Sequence, residues 1–329
     1  MKPKPIKTRP RGFIVVVVLC TIILLTVLLL GFNYKSRNDL RAADNFRKSA
    51  QALNCAKAGL SIAIAVIRAG SDVNTNKMLK NLLTGEKNFA VADGDCSITA
   101  AEENGKLNIN LLKNADGSLN RARVDRLLRL IDVLNREYVG SSHIPYDIVP
   151  SIIDWADTDD LVTCLPFVKY ENSGAESDYY MQLKTPYKCK NRPLDSIEEL
   201  TLVKGVTPEI FDRICNYLTV YGNGEININC ASKQVIECLS EDIDPALAQM
   251  IINRRQIKPF DSLAELRDVP GITDKIYSQI RQVAAVGPAE PYYYIKSLGT
   301  VNKLSCTIVA VLRKNMETKN VEVVSYKEL

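Results

Sequence analysis

Eighteen successive residues, Phe13 to Leu30, carry no charge, and Thr21 and Thr26 are their only hydroxyls. A helix rises about 1.5 Å per residue, so a run of this length just spans a hydrocarbon core about 30 Å thick. Ahead of it, Met1 to Gly12 contains Lys2, Lys4, Lys7, Arg9 and Arg11 and no acid. Such a basic flank stays cytoplasmic, which sends everything after Gly31 across the bilayer. A cleaved secretory signal would need a small-x-small site after the apolar run, and Gly31-Phe32-Asn33-Tyr34 does not supply one. The expectation is a single-pass anchor holding a large domain on the far side of a membrane.

The helix is expected to continue past the membrane. Asn33 to Ala69 has no proline, and Leu40, Ala43, Phe46, Ala50, Leu53, Ala56, Leu60, Ile64 and Ile67 recur at helical spacing. Gly70-Ser71-Asp72 is the expected stop. Alternating residues then predict strands at Cys96–Ala100 and Lys106–Asn110, with Asn104-Gly105 as a hairpin turn between them. The same style returns at Tyr292–Leu298, Ser305–Leu312 and Val321–Tyr326, so one sheet interrupted by a long segment is expected. That segment, residues 119–287, is predicted to be a helical insertion into an α/β domain made of residues 71–118 and 288–329. Within it, Asp195-Ser196-Ile197-Glu198-Glu199-Leu200 through Gly205-Val206-Thr207 recurs, without a gap, 66 residues later as Asp261-Ser262-Leu263-Ala264-Glu265-Leu266 through Gly271-Ile272-Thr273. Each copy predicts a capped helix, a glycine turn and a second helix, placing helix-hairpin-helix units at 195–222 and 261–287.

Several function classes are poorly served. His143 is the only histidine, which removes histidine triads and multi-histidine metal sites, and no phosphate-binding glycine loop with its lysine is present. The expectation is a non-enzyme. Helix-hairpin-helix units can bind DNA by pointing backbone amides at a phosphate. Here Thr207 and Thr273 stand where a second glycine belongs, and Glu241, Asp242 and Asp244 crowd the intervening turn. The whole chain's formal +4 less the leader's +5 leaves −1 for the rest, so no nucleic-acid partner is expected.

Acids offer a different chemistry. Asp154, Asp157, Asp159 and Asp160 follow a predicted helix, and Glu176 and Asp178 come after a polar excursion. Carboxylates alternating in a loop suit a hard cation with oxygen ligands, calcium above all, although a solvated acidic loop has the same composition. Of nine cysteines, Cys20 lies in the apolar span; Cys164 and Cys189 flank one polar loop and are the candidate disulfide.

Arg11-Gly12-Phe13, opening directly onto the apolar run, resembles a type IV prepilin leader. Further marks follow in order along most of the chain: Glu103-Asn104-Gly105-Lys106-Leu107-Asn108-Ile109-Asn110, Ile153-Asp154-Trp155-Ala156-Asp157, Gly174-Ala175-Glu176, Asn191-Arg192-Pro193-Leu194 and Ile226-Asn227-Ile228-Asn229-Cys230-Ala231-Ser232. Together they resemble the minor pseudopilin K family of type II secretion systems (general secretion pathway protein K). The resemblance implies an α+β, pilin-like fold: a long N-terminal helix packed on an antiparallel sheet, with a large all-helical insertion carrying the helix-hairpin-helix (SAM-like) repeats. It implies cleavage by a prepilin peptidase between Gly12 and Phe13 and N-methylation of Phe13. Residues 13–32 would be the transmembrane part of the helix and 33–70 its periplasmic part, in the inner membrane of a Gram-negative bacterium. The partners implied are the I-, J- and H-type minor pseudopilins, the inner-membrane secretion platform and membrane lipid. The role implied is a place at the tip of a short pseudopilus that drives folded proteins across the outer membrane. Calcium binding carries over to Asp157, Asp159, Glu176 and Asp178. A membrane-tethered DNA receptor of the competence type, which also combines an anchor with tandem hairpins, is the competing reading, beside the tip pilin of a type IV pilus.

Overall fold

A computed structural model describes residues 11–70, 77–91, 94–138, 140, 143–170 and 172–329. Met1 to Pro10 of the expected leader, and Ser71 and Asp72 of the expected helix stop, lie outside these residues. Helix α1 runs without a break from Arg11 to Ala69. Its large apolar side chains from Phe13 to Leu30 are exposed, and one N-terminal helix is long and apolar enough to cross a membrane. The short helix α2 (Lys77–Leu83) and strands β1 (Lys87–Val91) and β2 (Gly94–Glu102) follow.

The chain then leaves the sheet for about 190 residues. This segment holds β3 (Leu107–Asn108), α3 (Arg121–Glu137), α4 (Ile148–Ala156), α5 (Ser177–Tyr180), α6 (Pro208–Ile214), β4 (Leu218–Thr219), β5 (Ile226–Asn227), α7 (Lys233–Glu237), α8 (Pro245–Ile257), α9 (Asp274–Arg281) and β6 (Ala284–Ala285). It is not purely helical: β3 pairs with β4, and β5 with β6, in two short parallel ladders. The chain returns as β7 (Tyr292–Val301), β8 (Leu304–Lys314) and β9 (Val321–Glu328), completing an antiparallel sheet of order β1-β2-β7-β8-β9.

The expected hairpin at Asn104-Gly105 does not form. A tight Asn-Gly hairpin needs positive φ at both residues, and neither has it. Tertiary contacts win instead. Asn104 Oδ1 accepts from the Tyr292 amide at 2.6 Å, and Gly105 packs so closely on Cys230 and Ala231 that a Cβ would lie 2.8 Å from their backbone. The stretch becomes a buried 3-10 turn, and Leu107 pairs with Leu218 rather than with β2.

Alternation along β7 places Tyr293, Ile295, Ser297, Gly299 and Val301 on one buried face, against the second half of α1. That half presents small residues: Ala52, Ala56, Gly59 and Ala63 allow backbone to meet backbone. Ser297 Oγ donates to the Ala56 carbonyl at 2.9 Å, and a Cβ on Gly299 would lie 2.0 Å from the Ala52 carbonyl oxygen. Further along, Leu60 and Ile67 fill the space over Ile98, Ile295 and Leu312, each such burial being worth about 1.5–3 kcal/mol. At the C-terminal end of α1, the buried ammonium of Lys314 donates to the carbonyls of Ile67 and Gly70. A cation there satisfies acceptors that the helix leaves open and suits its negative pole.

Replacing Gly299 by valine should therefore separate α1 from the sheet, since the obstacle is the helix backbone at Ala52 and Ala56, which cannot rotate away. A loss of at least about 3 kcal/mol is expected in urea melts of the detergent-solubilised chain. Gly31→Val, with no atom within 4 Å of its would-be Cβ, should leave the midpoint unchanged.

Candidate metal centre

Asp154 lies in the last turn of α4, and Asp157 follows its end. A spacing of three puts both carboxyls on one side of a helix end, which is already the negative pole. Glu176 is brought to them from the residue before α5, and its side chain makes no cap hydrogen bond there. The three carboxyl groups can each place an oxygen within 4.8 Å of the others, and all are buried, at 0 %, 8 % and 4 % exposure for Asp154, Asp157 and Glu176.

Only part of this charge is balanced. The Thr163 amide donates to Asp154 at 3.0 Å, and Lys113 pairs with Asp157 at 2.5 Å. Asp157 Oδ1 and both oxygens of Glu176 are buried with no partner among the described residues. Burial, then the Asp154 and Asp157 charges, push the Glu176 carboxyl up to about 8. Asp154 and Asp157 are also raised by burial, against the pull of Thr163 and Lys113 respectively. Gly174 makes the close approach possible, because a Cβ there would lie 2.0 Å from Asp154 Oδ2. Lys204 ties this strand of chain down by donating to the carbonyls of Ser173 and Gly174. Three buried acids with orphaned oxygens are costly unless protonated or joined by a cation, and an all-oxygen donor set fits a hard divalent ion. A cleft of about 410 Å³, lined by Asp160, Asp178 and Asn191 among others, opens onto Glu176 and gives such an ion a way in.

Of the four residues singled out from sequence, Asp157 and Glu176 meet. Asp159 does not join them: it is exposed, accepts from the Leu161 amide at 2.9 Å and from Lys113 at 3.3 Å, and these hold its carboxyl low. Asp178 sits exposed on the cleft wall. The residue missing from that set is Asp154, whose signal was the i, i+3 spacing to Asp157 at the end of a predicted helix. No bond joins Cys164 to Cys189. Cys164 is an exposed thiol, whereas Cys189 is buried, its Sγ donating to the Asp154 carbonyl at 3.4 Å, and burial pushes it up to about 12. Gly12 and Phe13 fall in the first turns of α1.

The two copies of the internal repeat share a local geometry. Each opens with a 3-10 turn (Ile197–Leu202, Leu263–Asp268), passes through a glycine at positive φ (Gly205, Gly271), and starts a helix capped by threonine. Thr207 Oγ1 accepts from the Ile210 amide and Thr273 Oγ1 from the Ile276 amide. Each hydroxyl thus satisfies one of the amides that the helix start leaves open.

Two family models, both described as "Type II secretion system (T2SS), protein K", match consecutive stretches, residues 105–223 and 226–286, together more than half of the chain. The type II secretion system protein K of Klebsiella pneumoniae is 24% identical over 229 residues, 69% of this chain and 67% of that one. The protein of the same name from Pseudomonas aeruginosa is 24% identical over 263 residues, 77% of this chain and 74% of that one. In fold, the chain is similar to one in the crystal structure of the GspK-GspI-GspJ complex of the type 2 secretion system of enterotoxigenic Escherichia coli. The TM-score is 0.66 and the identity 20%, covering 88% of this chain and 99% of that one.

A pH dependence follows from the acids. Glu176 holds its proton more tightly folded than unfolded, so without a cation stability falls as pH rises from the usual carboxylate range to about 8. In chelator, the melting temperature should drop between about pH 5 and pH 8. Glu176→Gln should remove most of that drop and raise the midpoint at the upper pH, read by circular dichroism.

Proposed function

The chain belongs to the protein K family of type II secretion systems, and from that premise we propose that it is a non-enzymatic minor pseudopilin at the tip of the pseudopilus, assisting export of folded proteins across the outer membrane. The observation that carries the tip position is where the insertion leaves the sheet. Gly94, at the start of β2, lies by Cys55, whereas Lys314, bonded to Pro291 just before β7, reaches Ile67 and Gly70. The insertion therefore departs and returns beside the end of α1 farthest from the apolar span. A subunit stacked ahead would collide with it. The fifth residue after the cleavage site adds support. Most pilin-like chains place glutamate there, paired with the ammonium of the subunit ahead; this chain has Val17, and a subunit with none ahead avoids an unpaired carboxylate in lipid.

In this reading α1 anchors the chain in the inner membrane of a Gram-negative cell, and the bulk lies in the periplasm. A prepilin peptidase cuts between Gly12 and Phe13, and Phe13 is N-methylated. I-, J- and H-type pseudopilins pack along the exposed part of α1, and the secretion platform lies below. The repeats at 195–222 and 261–287 serve as packing helix-hairpin-helix units, their amides taken by threonine caps. Asp154, Asp157 and Glu176 take calcium, with Asp178 at the mouth of the cleft and Asp159 held by Lys113.

Gly12→Val should block processing, so that mass spectrometry finds Met1 to Gly12 retained in a host with a working prepilin peptidase. Immunogold labelling of the native assembly should mark filament ends only; label along the shaft would sink the tip assignment, and failure to crosslink to any small pseudopilin would sink the pseudopilin role itself.

A further inference from the structure

Helix α3 carries Arg123, Arg126 and Arg129 at a spacing of three, on a stretch whose neighbours Val124, Leu127 and Leu130 are core residues. Arg126 is only 8 % exposed. Among the described residues no carboxylate forms an ion pair with any of the three, and Arg126 makes no hydrogen bond. Arg123 donates to the Asn223 carbonyl at 3.3 Å and Arg129 to the Cys238 carbonyl at 3.3 Å, each using one guanidinium nitrogen. The nearest acid on the helix, Asp125, is engaged by Arg121 at 2.8 Å. An uncompensated charge in such a place is expensive. Burial first, and then the neighbouring Arg123, lower Arg126 to about 10.

The two guanidinium-bearing side chains do not face solid core. Arg123 and Arg126 line a small, partly open cavity of about 20 Å³, walled otherwise by Asn108 and by the apolar side chains of Leu107, Ile109, Leu112 and Ile226. A cavity needs about 10–15 Å³ to hold one water-sized particle, so this one has room for a single small ion. Gly224, at φ +82°, makes the fit, because a Cβ there would lie 2.5 Å from Arg123 Nη1. The turn at residue 224 must be glycine for the guanidinium to enter.

We propose that Arg123 and Arg126 hold one small monovalent anion, chloride, in the cavity between α3, the Leu107–Leu112 segment and the Gly224–Ile226 turn. The charge calls for an anion, the small volume fits a single-atom ion rather than phosphate, sulfate or a carboxylate, and the wall beside the arginines is apolar except for Asn108, whose amide already donates to the Tyr221 and Gly222 carbonyls. The site joins the segment beginning the insertion to the turn between its two consecutive parts. An ion there offsets the repulsion between two arginines and locks three pieces of chain that share no regular secondary structure.

Thermal melts of the full chain in detergent test this, with sodium chloride replacing sodium gluconate at constant ionic strength. A saturable rise in midpoint of about 3 °C is expected in chloride, and crystals grown in bromide should show an anomalous peak in the cavity. Arg126→Met should abolish the rise. If that variant does not fold, Arg123→Gln should weaken the chloride response at least tenfold, read as the concentration giving half the rise. Identical midpoints in chloride and gluconate, or a cavity that holds water only in bromide crystals, would overturn the proposal. So would a rise of equal size and midpoint in a folded variant, because the effect would then be one of salt in general.

Discussion

The contact between the backbone of α1 and the backbone of β7 is the interaction on which the rest depends. Ala52 and Ala56 on the helix meet Gly299 and Ser297 on the strand with no side chain between them beyond a hydroxyl. Larger residues at these positions would hold the helix about 10 Å from the sheet. Close approach turns a helix that must leave the membrane into the central element of the soluble core. It also fixes direction: β2 runs alongside α1 from Cys55 towards Ile67, so every segment attached beyond Glu102 is carried to the end away from the apolar span. The buried Lys314 closes that end.

The elements readable from sequence are those whose period is set by one large partner. From Ala52 to Ile67 α1 shows its 3.6-residue pattern because the sheet selects one stripe of it, and β7 alternates because one face is covered by that helix. The expected long helix with an antiparallel sheet and helices is the fold that appears. Asn104-Gly105 misled because its local preference for a hairpin is worth less than the contacts Asn104 makes with Tyr292 and Gly105 with Cys230. β3 to β6 were illegible for a related reason. Two-residue ladders carry no period, and their partners lie far away, Leu107 beside Leu218 and Ile226 beside Ala284.

The acidic site was legible in composition but not in membership. Sequence shows which residues are acids; it does not show which acids are left without a partner. By sequence Asp159 is equivalent to Asp157, but Lys113 and the Leu161 amide take its oxygens; Asp154 is one acid among several, and Gly174 brings Glu176 up to it. The arginines of α3 were missed altogether. Nothing in their i, i+3 and i+6 spacing marks them out, and only the fold brings Arg126 into one cavity with Leu107 and Ile226.

These two charged groups could in principle have neutralised one another, and the reason they do not is visible in one short segment. Leu107 to Lys113 runs between them, and its Ile109 and Leu112 line both the arginine cavity on one side and a small gap beside Asp157 on the other. Two apolar side chains thus separate the carboxylates from the guanidiniums. Lys113, at the end of the segment, reaches only the acidic side. Bringing the groups together would require removing that wedge, and with it the packing of Leu112 and Ile109 against α3 and α4. The apolar contacts therefore settle the arrangement first, and each set of charges must be balanced where the core leaves it.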